Sequence, residues 1–113
     1  MEPHKIGTRV PVDTLIGDEM VIFRSSRRPW KHNGIEKGQT LILHGVGADA
    51  TGLVLETPVQ IPFRDISQCD IRDGYFKGAC TRETLMACLR EMYQEYGYEE
   101  DTETTVIRCR RTG

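Results

Sequence analysis

The chain has 113 residues, 38% of them hydrophobic and 28% charged, with 15 lysines and arginines against 17 aspartates and glutamates. That length predicts one domain, residues 1–113, with a modest core. The formal net charge of −2 argues against coating a polyanion through bulk charge, but leaves room for a local basic site. No apolar run approaches the roughly 20 residues that a membrane helix needs. The opening MEPHKIGTRV lacks the apolar stretch of a secretory signal. The expectation is therefore a cytoplasmic protein with no membrane partner.

In chain order, a short helical turn is predicted at Asp13–Ile16 before Gly17. Met20–Arg24 reads as a strand, because Met20, Val21, Ile22 and Phe23 form an apolar run too short for a helix. Thr40–His44 reads as a second, built on Leu41, Ile42 and Leu43 between Gly38 and Gly45. His44–Gly52 is glycine-rich, but it lacks the lysine and hydroxyl residue of a phosphate-binding loop, and is read as a β-turn or hairpin loop. Thr51–Glu56 is a third strand candidate that continues past Pro58 into Val59–Phe63. The prolines at 58 and 62 place that continuation at an edge or a bulge.

Ser67 is positioned to cap a short helix, Gln68–Arg72, ending near Gly74. Asp65, Asp70 and Asp73 do not have the spacing of a calcium loop, so Asp70 and Asp73 are expected to decorate the exposed face of that helix. The clearest helix begins after Thr81, with Glu83 suited to the positive end of its dipole. Leu85, Leu89, Met92, Tyr93 and Tyr96 share one face of a 3.6-residue period and are expected to pack in the core, with Gly97 as the stop. Six carboxylates between Glu91 and Glu103 suggest a solvated helix end and loop. Thr104–Cys109 closes the chain as a strand, followed by Arg110 and Arg111.

Four cysteines, Cys69, Cys80, Cys88 and Cys109, show no paired spacing. They read as reduced thiols and not as a zinc site, and no cofactor is expected. The charge that stands out is FRSSRRPWKHNGIEKGQT, Phe23 to Thr40. Arg24, Arg27, Arg28, Lys31 and Lys37 lie there with Trp30, opposed only by Glu36. Arginine makes forked hydrogen bonds to phosphate, lysine acts as a point charge, and an indole offers a face on which a base stacks. The plain alternative is a solvated connection with Trp30 tucked against the fold.

The order of these segments resembles an ASCH domain, a small β-barrel of the PUA-like class. The resemblance runs through LIGDEMVIFR (Leu15–Arg24), KGQTLILHG (Lys37–Gly45), PFRDISQCDIRDGYF (Pro62–Phe76), ETLMACLREMY (Glu83–Tyr93) and TTVIRC (Thr104–Cys109). It implies an α+β fold, a small PUA-like barrel with two or three flanking helices and a cleft beside the first strand. It also implies RNA or modified-nucleoside chemistry: members resemble nucleic-acid binders, one branch hydrolyses acetylated cytidine, and some are ribonucleases.

The family's amidohydrolase branch carries a lysine two residues after the turn glycine and a threonine three residues beyond it. Those positions hold Glu19 and Ile22 here, which supply neither the activating amine nor the hydroxyl. No catalytic residue is therefore assigned, although Glu19, Lys31 and His32 are the nearest candidates for acid–base cleavage of RNA. The leading expectation is a domain that binds RNA or single-stranded nucleic acid, or a nucleotide-like ligand. Arg24, Arg27, Arg28, Lys31 and Lys37 would hold phosphates and Trp30 would stack on a base. A hydrolase of RNA or a modified nucleoside, and a non-catalytic protein-interaction module docking through residues 91–103, are the alternatives.

Overall fold

The computed structural model describes residues 3–11, 19–25, 34–46, 49–74 and 81–112. Among these residues six strands and two helices follow in chain order: β1 His4–Pro11, β2 Glu19–Ser25, β3 Thr40–Val46, β4 Asp49–Val54, β5 Val59–Pro62, α1 Gln68–Arg72, α2 Arg82–Met92 and β6 Glu103–Arg111. A 3-10 turn, Phe63–Asp65, separates β5 from α1. The strands form one curled half-barrel in the order β1-β3-β4-β6-β2, antiparallel except where β1 runs parallel to β3. The class is thus α+β, with a sheet compatible with a small barrel. No helix among the described residues is long and apolar enough to cross a membrane.

Strand β6 organises the sheet. It pairs with β2 along one edge, while β4 and β5 share the other edge in succession. Val54 faces Cys109 and Val59 faces Val106, so the four residues between β4 and β5 span only two positions of β6. That two-residue excess is the bulge that Pro58 signals. Because the excess is even, both strands present the same alternation of faces to β6.

Residues opposite one another in a ladder share a face. Met20, Ile22, Cys109, Ile107, Val54, Leu41, Leu43 and Ile6 therefore line the concave interior, and each is buried. The opposite face of β2 and β6 carries Val21, Phe23 and Val106, which are buried as well. Here the helical layer covers the sheet with Ile71, Leu85, Leu89 and Tyr93. Burial on both faces explains why β2 is apolar without alternation.

Several local expectations hold. Ser67 Oγ accepts the Asp70 amide at 3.1 Å, and α1 ends at Arg72. Thr81 and Thr84 cap α2 reciprocally, Thr81 Oγ1 accepting the Thr84 amide and Thr84 Oγ1 accepting the Thr81 amide.

Others are corrected. His4–Pro11 is a strand that the sequence did not announce. The hairpin at residues 44–52 is tighter than expected, β3 running to Val46 and β4 starting at Asp49. The helix stops at Met92, so Tyr96 falls beyond it and is 41% exposed; Tyr98 takes its place in the core. Its ring stacks on Tyr93 and meets Phe63 edge-on, and its hydroxyl bonds Thr104 Oγ1. Gly97, expected as the helix stop, instead closes the turn that follows the helix: with φ of 74° it donates its amide to the carbonyl of Tyr93, the residue that caps α2. Asp70 and Asp73 do not decorate an exposed face. Both accept hydrogen bonds from Arg108 of β6 and tie α1 to the sheet. The predicted turn at 13–16 lies outside the described residues.

Candidate functional site

The interior face changes character along its length. Stepping down β2 it reads Met20, Ile22, Arg24, and along the facing stretch of β6 it reads Cys109, Ile107, Thr105. Gln60 of β5 stands opposite Thr105 on the same face and donates to its hydroxyl at 3.4 Å. An apolar interior thus ends in an arginine, a threonine and a glutamine. Arg24 and Thr105 are buried, whereas Gln60 is exposed.

Arg24 is 4% exposed, and its Nη1 donates to the carbonyl of Phe23 at 2.8 Å. The neighbouring contact explains that geometry. The Val21 amide donates to the Asp73 carbonyl at 2.9 Å, so Val21, and two residues on Phe23, direct their backbone groups away from β6. The Arg24 guanidinium therefore closes one carbonyl on the outer edge of β2.

Lys37 lies in the turn that leads into β3 and is exposed. The turn is fixed from within: the Gly38 amide donates to the Val54 carbonyl, the Val54 amide to the Gln39 carbonyl, and the Glu36 amide to Gln39 Oε1 at 3.0 Å. Gly38 has φ of 87°, the left-handed geometry that lets the chain kink into the strand. The ladder does not make Lys37 a neighbour of Arg24. The turn abuts Val54, which lies across β6 from Met20, four residues before Arg24, or roughly 13 Å along the strand. Arg27, Arg28, Trp30 and Lys31, with His32, lie outside the described residues.

The two positions at which the resemblance would place a catalytic pair, Glu19 and Ile22, are also separated. Ile22 is buried in the interior face opposite Ile107, while Glu19 lies on the other face, opposite Arg110. Glu19 and Arg24 therefore sit on opposite faces and at opposite ends of β2.

A second polar cluster escaped the sequence reading. Arg108 Nη2 donates to Asp70 Oδ1 at 2.7 Å and its Nη1 to Asp73 Oδ2 at 3.1 Å, with the three side chains 16%, 27% and 15% exposed. Burial pushes the Asp73 carboxyl up, but the hydrogen bond and charge of Arg108, helped by Arg72, outweigh it and hold the group below its usual value. For Arg108 burial acts downward, and the two carboxylates reverse it and raise the guanidinium. The i, i+3 spacing of the aspartates on a capped helix signals one shared face. Arg82 binds differently: its guanidinium donates to the carbonyls of Phe63 and Ile66 and lies over the Phe63 ring, anchoring the start of α2. Among the described residues no group of three or more His, Cys, Asp or Glu side chains is arranged to hold a metal ion.

The acidic residues 91–103 are exposed at Glu91, Glu95, Glu99, Glu100, Asp101 and Glu103, and Glu99 pairs with Arg90 at 3.0 Å. Cys69 is exposed, Cys88 half-buried and Cys109 buried, where loss of hydration pushes its thiol up to about 12. No protein-family model, no curated protein and no solved structure matches this chain.

Proposed function

We propose that this chain is an ASCH-type, PUA-like domain that binds RNA or another single-stranded nucleic acid at the end of its barrel where β2 finishes. The observation that carries the reading is the change of the interior face from Met20 and Ile22 to Arg24, with Thr105 and Gln60 opposite. A guanidinium at the end of an otherwise apolar face brings to that end a charge and a fork of donors that match a phosphate. In this reading Arg24 anchors one phosphate at the inner end, and Arg27, Arg28 and Lys31 hold the strand as it leaves. Lys37 supplies a charge at the entry to β3, and Trp30 stacks on a base.

The sole tryptophan makes the test direct. Trp30 fluorescence is titrated with a short RNA and with mononucleotides at several salt concentrations. Binding is expected to quench or shift the emission and to weaken steeply with salt, because each neutralised phosphate releases counterions. The Arg27→Ala/Arg28→Ala double variant is expected to lower the slope of log K against log salt by about 1.4, at about 0.7 per lost contact on a single strand. RNA affinity that is absent, or that is indifferent to salt, overturns the reading.

A further inference from the structure

We draw no further inference here: the strongest candidate, the exposed Val59 on the short edge strand β5, carries none because nothing in the structure shows what covers it.

Discussion

Replacing Arg108 with methionine tests the account of how α1 is held to the sheet. Methionine keeps much of the apolar stem and removes the guanidinium that bonds Asp70 at 2.7 Å and Asp73 at 3.1 Å. A solvent-exposed pair contributes at most about 1 kcal/mol. Breaking a fully buried pair costs about 3–5 kcal/mol, much of it from the stranded charge. Here all three side chains are less than a third exposed, so the loss falls between those limits, at about 3 kcal/mol. At about 4 °C per kcal/mol for a chain of this size, the melting temperature should fall by about 12 °C.

The assay is urea unfolding followed by circular dichroism for the wild type, Arg108→Met, Asp73→Asn and the double variant. Asp73→Asn should cost less than Arg108→Met, because Asp70 keeps its partner. The cycle should return a coupling energy of about 1–2 kcal/mol, as expected for groups in one network. The pH arm has a fixed sign. Asp73 titrates below its usual value in the folded state, so its contribution is complete above the unfolded value of about 4. It is lost as pH falls through the lower folded value, and this part of the acid loss should vanish in Asp73→Asn. A cost below about 1 kcal/mol for Arg108→Met, together with zero coupling, would sink the clamp as an energetic feature.

Two further outcomes follow from burial. Cys109, buried and with its thiol pushed up to about 12, should resist alkylation at pH 8 in the native protein while exposed Cys69 reacts, as peptide mapping by mass spectrometry would show; equal labelling of the two contradicts the interior placement of β6. Tyr98→Phe should cost only about 1 kcal/mol in urea unfolding, because the Thr104 hydroxyl keeps its bond to the Thr102 carbonyl and the ring contacts survive; a loss above about 3 kcal/mol would show that the hydroxyl pair matters far more than this.

The elements legible in the sequence are those with a strong local signal. Ser67 and Thr81 announce their helices because a cap is a contact over three residues. The apolar run of β2 announces a strand for the same reason, but its lack of alternation conceals the faces. Nothing in MVIFR says that Arg24 points inward with Ile22, since that follows from pairing with β6 some 80 residues later. Strand β1 was invisible because HKIGTRVP contains Gly7 and Pro11, and it is a strand by virtue of pairing with β3. The same limit hid the clamp. The two aspartates share a face that spacing reveals, but the arginine they face is 35 residues from Asp73.

Arg24 holds two assignments that can be separated by experiment. As the last cation of β2 it closes the Phe23 carbonyl on an outer edge, and beside it the Asp73 carbonyl closes the Val21 amide. Capping of this kind guards an edge strand against unwanted pairing. The proposed binding role adds a phosphate to the same guanidinium. Arg24→Met should therefore lower stability by about 2 kcal/mol, the scale of a lost charged hydrogen bond. It should also reduce the salt slope for RNA by about 0.7, as expected for one lost phosphate contact. Arg24→Lys keeps the charge but not the fork, so it should recover most of the slope and little of the stability. If Arg24→Met lowers stability and leaves the salt slope unchanged, Arg24 is an edge cap alone. The binding site must then be sought in the stretch Arg27–Lys37.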